Sequence, residues 1–364
     1  MSRSSSASDT RTRNLDDILN EDYDNIGQAL GVIREHSREV KNKNYKDISD
    51  ELLESLVKAT DIANEKLKNL MVEEPSKFSY HQDIANLNFT KSNFENIMYR
   101  KTGDLGFLRE SYRSLQVSVE KTADKKTLFF AHYLSCGKIE TILDNFVREG
   151  KNKKSKEFMK WDEKLMYHLD KAYDLMDKTV INIDTKRKVV MLYTKKLSLL
   201  CDKNSDEGRE DINLLLKSYK LEKRIKKDFS YGKSFRQSGH LARKAKAISK
   251  YYEEKEIFNT SLEWYIEGFN EDILMLTENI VRKKEPSTQL LSYLANNCVE
   301  IYDLLESSKE SIEERTFIHI KNKIKPLFQA GIDMLNKLEV SERTTPIINQ
   351  YEQFLEDVYS SKKL

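Results

Sequence analysis

Apolar residues recur along most of the chain at alternating spacings of three and four. Leu105, Leu108, Tyr112, Leu115 and Val119 fall on one face of a 3.6-residue helix, and Leu165, Leu169, Ala172 and Met176 do the same. Val189, Leu192, Leu197 and Leu200 form a third such stripe. Leu262, Ile266, Phe269, Ile273 and Leu276 form a fourth, and Ile324, Leu327, Leu335 and Leu338 a fifth. Alternation of period two is nowhere sustained, so no strand is expected. The stripes are interrupted at Glu74-Pro75-Ser76, Thr102-Gly103-Asp104, Gly150 to Lys154, Lys203 to Gly208 and Glu285-Pro286-Ser287. Thr345 before Pro346 reads as a helix start, with proline where its missing N–H costs nothing. Pro326 lies within an apolar run, where it is expected to kink or restart a helix.

Composition agrees with that pattern. Only 11 Gly and 4 Pro occur in 364 residues, about a third of the roughly 12% of average usage. Sandwiches, barrels and Rossmann sheets need those residues at their turns. The expected class is all-α, with about fourteen helices whose short connections make neighbours antiparallel hairpins. A non-repetitive helical bundle is the structural alternative. Residues 1–13 lack any large apolar side chain except Met1 and are expected to form a disordered tail. Residues 14–364 read as one helical array, with a weak subdivision near the lysine-rich stretch at 150–156.

The stretch from Ala242 to Met275, ARKAKAISKYYEEKEIFNTSLEWYIEGFNEDILM, resembles a tetratricopeptide repeat, a helix hairpin of about 34 residues. Ile248-Ser249 supply its apolar–small pair and Tyr252 its following aromatic. Ser261, Tyr265 and Gly268 supply the small, aromatic and small positions of the second helix. Ala245 departs from the bulky aromatic of the pattern, and no proline closes the unit. A partial match runs from Phe89 to Lys121 through Tyr99, the Gly103-Asp104 turn, Leu105, Leu108, Tyr112 and Leu115. There Glu95 and Asn96 replace the apolar–small pair. The resemblance implies a right-handed solenoid of stacked hairpins and a role as a protein-interaction scaffold.

Charge is nearly balanced overall, 62 Lys+Arg against 60 Asp+Glu, but unevenly placed. From Lys217 to Lys250 there are twelve basic residues and only Glu222 and Asp228 as acids. Arg243, Lys246 and Lys250 are spaced three and four apart, on one helical stripe. In the repeat family that stripe would face a peptide-binding groove, with Arg236 and Lys233 extending it upstream. The expected ligand is an acidic or carboxylate-bearing peptide. Nucleic acid is the alternative, since Tyr219, Phe229, Tyr231 and Phe235 lie among the cations and could stack on bases. The acidic stretch Asp16 to Asp24 offers an occupant for the basic segment within the chain itself.

Catalytic chemistry finds little support. Gly232-Lys233-Ser234 ends a phosphate-loop pattern, but Lys227 stands where its first glycine is needed. Asp22, Asp24 and Gly27 fail as a calcium loop because Ile26 and Ile33 occupy ligand positions. His132 and Cys136, four apart, could offer two metal ligands or a base and nucleophile, but their surroundings are strongly apolar. No catalytic residue, metal site or cofactor is expected. Three unevenly spaced cysteines, Cys136, Cys201 and Cys298, suit a reducing, cytoplasmic-type compartment. The longest apolar run, Val189 to Tyr193, is far too short to span a membrane.

Overall fold

Short polar side chains set where the helices begin. Asn25, Ser49, Asp104, Asp124, Ser155 and Asp211 each accept a hydrogen bond from a backbone N–H in the first turn that follows, satisfying donors the helix leaves unpaired. The structure, a computed structural model, describes residues 15–20, 25–74, 77, 79–206, 211–229 and 235–281, with isolated positions between 303 and 353. The tail at 1–13, the break at 285–287, Cys298, the 324–338 stripe and the Pro326 kink lie outside the described residues. Regular structure among the described residues is helical, without a strand, and no described helix is long and apolar enough to cross a membrane.

The chain divides into two units at 189/190. In the first, α1 (Leu15–Leu19), α2 (Ile26–Asn42) and a 3-10 turn (Tyr45–Asp47) precede α3 (Asp50–Glu73), α4 (Ser79–Thr102), α5 (Leu105–Lys121), α6 (Lys125–Arg148) and α7 (Lys156–Met176). From α3 onward each helix packs on the next, while α1 and α2 both pack on α3. The lysine-rich stretch at 150–156 is the loop between α6 and α7, inside this unit. Leu15 and Ile18 are buried in the core shared by α1 to α4. The helical part of the acidic stretch thereby belongs to the first unit, and residues 21–24 lie outside the described residues.

The stripes read from the sequence on α5 and α7 are core faces. Leu108, Tyr112 and Leu115 of α5 and Leu165, Leu169, Ala172 and Met176 of α7 are all buried. Each large side chain so buried is worth about 1.5–3 kcal/mol. The α4–α5 turn closes at Gly103, whose φ of 73° is the left-handed conformation that glycine adopts without steric cost. Serine meets serine across this hairpin: Ser92 and Ser111 Oγ are 3.0 Å apart, and Ser111 donates to the Ser92 carbonyl at 2.6 Å. Small hydroxyls let the helices approach closely while satisfying their own polar groups.

The two departures from the repeat pattern build a buried polar network. Glu95, 3% exposed, accepts from Ser114 Oγ at 2.8 Å and lies 3.8 Å from Lys91 Nζ. Asn96 accepts from the buried Lys138 at 3.2 Å. On α6, His132 and Cys136 are both buried. His132 Nδ1 meets His168 Nδ1 at 2.8 Å, and His168 Nε2 lies 3.3 Å from Tyr112 Oη. One imidazole donates and the other accepts, so the accepting ring is neutral at that contact.

The second unit starts within α8 (Ile183–Asp206) and continues through α9 (Ile212–Arg224), a π-helical turn (Ile225–Phe229), α10 (Phe235–Glu254) and α11 (Phe258–Val281). The hairpin expected over Ala242 to Met275 is present as α10 and α11. Ile248, Ser249, Ser261, Tyr265 and Gly268 are all buried at or near its seam. Ser249 and Ser261 Oγ are 2.9 Å apart, and each donates to the other's carbonyl, at 2.6 and 2.9 Å. A Cβ at Gly268 would stand 3.2 Å from the Ala242 carbonyl and 3.4 Å from Ala245 Cβ. Ala245, the departure from a bulky aromatic, is what lets α11 come this close.

Stability of the first unit should depend on pH in two opposed ways. Burial, then nearby positive charge, pushes His132 down from 6.5 to about 4, and burial, His132 and Lys164 push His168 to about 3. Burial raises Glu95 from 4.5 to about 7. The unfolded imidazoles take up protons that the native ones refuse, so each withdraws up to about 1.4 kcal/mol per pH unit as pH falls below 6.5. Native Glu95 holds its proton more tightly than the unfolded chain does, so its stabilisation is full below 4.5 and is lost as pH rises through 7. Glu95→Gln should therefore steepen the loss of stability between pH 6.5 and 4.5. Urea unfolding followed by Trp161 fluorescence in a Trp264→Phe background measures it; a curve parallel to the parent would contradict a protonated Glu95.

Candidate functional site

α8, α9, the π turn and α10 enclose a cleft of about 540 Å³ in the second unit. On its floor the Lys244 ammonium donates to Ser218 Oγ at 2.7 Å, Ser198 Oγ at 2.8 Å and Glu222 Oε2 at 3.4 Å. Ser198 in turn donates to the Thr194 carbonyl at 2.9 Å. Ser218 and Glu222 are four apart on α9, so one face presents both to the ammonium. The Lys244 and Glu222 side chains are only 13% and 7% exposed. Three protons on a buried ammonium find three acceptors, the condition under which a buried ion pair holds together.

The rim has two characters. Lys195 of α8 and Arg243 of α10 are exposed cations that line the opening. Arg243 donates to His240 Nδ1 at 2.9 Å and to the Gly239 carbonyl at 3.3 Å. A guanidinium can only donate, so His240 Nδ1 accepts and that imidazole carries its proton on Nε2. Met191 and Leu199 line the α8 side with 47% and 54% of their surface exposed. Large apolar side chains exposed beside cations suit a ligand that carries both acid and apolar groups.

The structure distributes the residues singled out from the sequence unevenly. Arg243 lines the cleft. Lys250 is exposed and Lys246 half-buried; neither lines the cleft, and the Lys246 backbone lies against α11 near Gly268. Arg236 falls within α10, but its side chain lies outside the described residues, as does all of Lys233. The face of α10 that meets the cleft is His240, Arg243, Lys244 and Ala247, turned slightly from the expected stripe. Sequence reasoning missed Lys244. Its available signal was a cation flanked by core alanines, with Ser218 and Glu222 spaced to meet it from α9.

Tyr219 and Phe229, the aromatics of the basic segment whose side chains are described, do not offer faces to bases. Tyr219 and Phe229 are both 4% exposed. Tyr219 packs edge-on to Trp264, ring centroids 4.8 Å apart, and donates to Glu267 at 2.5 Å. Burial, then that carboxylate, pushes the Tyr219 phenol up. Burial pushes Glu267 up as well, but the hydrogen bonds from Tyr219 and Lys223 outweigh it and hold the carboxyl below its usual range. Lys223 and Lys226 pair with Glu267 and Glu271 of α11 at 2.9 and 2.5 Å. Part of the local positive charge is therefore met by acids distant in sequence. Tyr231 and the Phe235 side chain lie outside the described residues.

No family model matches this chain, and no curated protein matches it. Among solved structures, two crystal forms of the Schizosaccharomyces pombe nuclear import adaptor Nro1 align with TM-scores of 0.41 and 0.42 at 12% and 11% identity. The alignments cover 93% and 96% of this chain and all of Nro1. A circular tandem repeat protein aligns with a TM-score of 0.32 and 12% identity, over 92% of this chain and 82% of its own. Similarity at this level assigns neither a family nor a function.

Lys244→Met should leave the Glu222 carboxylate buried without its cation and destabilise the second unit by about 3 kcal/mol. Adding Glu222→Gln should recover part of that loss, because the stranded charge is gone. Urea unfolding followed by Trp264 in a Trp161→Phe background reads both. A Lys244→Met variant within about 0.5 kcal/mol of the parent, the range of ordinary surface changes, would rule out the ammonium as the cleft's anchor.

Proposed function

We propose that this chain is a protein-interaction module rather than an enzyme, and that its second unit receives an acidic peptide segment in the α8–α10 cleft. The observation that carries the reading is the rim: exposed Lys195 and Arg243 face the same opening as exposed Met191 and Leu199. Carboxylates of the segment would meet the cations, and its apolar residues would cover the methionine and leucine. Rim charges of this kind govern encounter rate and partner choice more than raw affinity. The pairing of Lys244 with Glu222 keeps the floor preformed, which reduces the ordering cost of binding. Lys250 and Lys246 on α10, with Arg236 and Lys233 before them in sequence, would act by steering. The free, buried Cys136 thiol suits a reducing compartment.

Fluorescence anisotropy with a labelled Glu/Leu-rich peptide tests this on the full chain. Lys195→Glu with Arg243→Glu should weaken binding at least tenfold, and affinity should fall with salt. A Gln/Leu-rich peptide should bind much more weakly, and single-stranded RNA should not compete. Binding that ignores the double substitution, or that RNA displaces, would overturn the reading.

A further inference from the structure

We propose that the first unit carries a separate anion site, a pocket between α5 and α7 that binds a phosphate monoester. The pocket has a volume of about 280 Å³ and is lined by Arg109, Arg113, Lys160 and Lys164 over Tyr112 and Trp161. Glu157 is the one carboxylate in its lining. Spacing explains the convergence: Arg109 and Arg113 are four apart on α5, and Lys160 and Lys164 four apart on α7, so each helix presents one basic stripe at the rim of the pocket.

The cations there outnumber their partners. Arg109 pairs with Glu157 at 3.2 Å, and that carboxylate is shared with Lys151 at 3.7 Å. Arg113 pairs with Glu110 along its own helix, on an exposed surface where such pairs contribute little. Among the described residues Lys160 and Lys164 have no carboxylate partner. Lys164 Nζ instead sits 4.6 Å from the Trp161 ring centroid and 4.9 Å from that of Tyr112. Burial, then Lys160 and Arg113, lowers its pKa, the mark of like charges held together. The Nε of Arg109 is buried and has no acceptor among the described residues. A compact dianion in the pocket would meet the guanidinium and ammonium groups together, since guanidinium forks and ammonium groups are the usual phosphate partners. The volume lies at the small end for ligand pockets, which favours a single phosphate group with a short appendage, from a phosphorylated side chain or a soluble polyol phosphate.

This site does not rest on the reading of the second-unit cleft. Trp161 fluorescence in the full chain, with Trp264→Phe, serves as reporter during titration with inositol monophosphate, a phosphoserine peptide, its unphosphorylated counterpart and ionic-strength-matched chloride. The expected result is a saturable response to one or both phosphate probes and none to the controls. Lys160→Ala with Lys164→Ala should weaken it at least tenfold, while Lys195→Glu with Arg243→Glu leaves it unchanged. Lys160→Glu alone, at an exposed position, should give the same direction if Lys164 proves necessary for folding. Tighter binding of the peptide assigns a phosphorylated side chain, and tighter binding of the inositol assigns a soluble phosphate. No saturable response to either probe, an equal response to chloride, or undiminished affinity in folded lysine variants would overturn the proposal.

Discussion

Close helix contact through buried serines is the constraint on which both units depend. At the α4–α5 and α10–α11 hairpins a serine from each helix meets its partner directly, at 3.0 and 2.9 Å. Between α8 and α9 the same pairing recurs as Ser198 and Ser218, but looser, at 3.4 Å. There the Lys244 ammonium enters from α10 and takes both hydroxyls. A long cation where the other seams have small residues keeps the third helix in place yet leaves a cleft beside it. The cleft is thus a modified form of the packing that builds the hairpins.

That view explains which charges are free to act. The window from Lys217 to Lys250 looks strongly basic on paper, but Lys223, Lys226 and Lys244 are consumed by Glu267, Glu271 and Glu222. These pairs fix α9 and α10 against their neighbours, so their cations are structural. Lys195 and Arg243 stay exposed at the opening. In the first unit the balance differs, because Lys164 lies over two aromatic rings and shares its pocket with Lys160, two arginines and a single acid, Glu157.

Periodicity made the helices and their buried faces legible, since a helix repeats every 3.6 residues whatever its partner. The small residues of the α10–α11 seam were legible too, because Ser249, Ser261 and Gly268 each permit an approach that a larger side chain blocks. Glu95 and Asn96 were visible only as departures from a pattern; their buried network needs Ser114 and Lys138, which other helices supply. Lys244 was hidden for the same reason. Its partners lie 46, 26 and 22 residues away, so the core alanines beside it could mark it as buried but not say what it meets. His132 pointed along its own helix to Cys136, whereas its partner is His168 on the next helix.

The most direct test of the second-unit cleft as a docking site is NMR of the full chain labelled with 13C at its methionine methyl groups, titrated with the acidic peptide. Met191 lines the cleft, whereas Met98 and Met176 are buried in the first unit. The account predicts a saturable shift at Met191 with Met98 and Met176 unmoved. Shifts confined to the first unit's methionines, or a Met191 signal indifferent to saturating peptide, would contradict it.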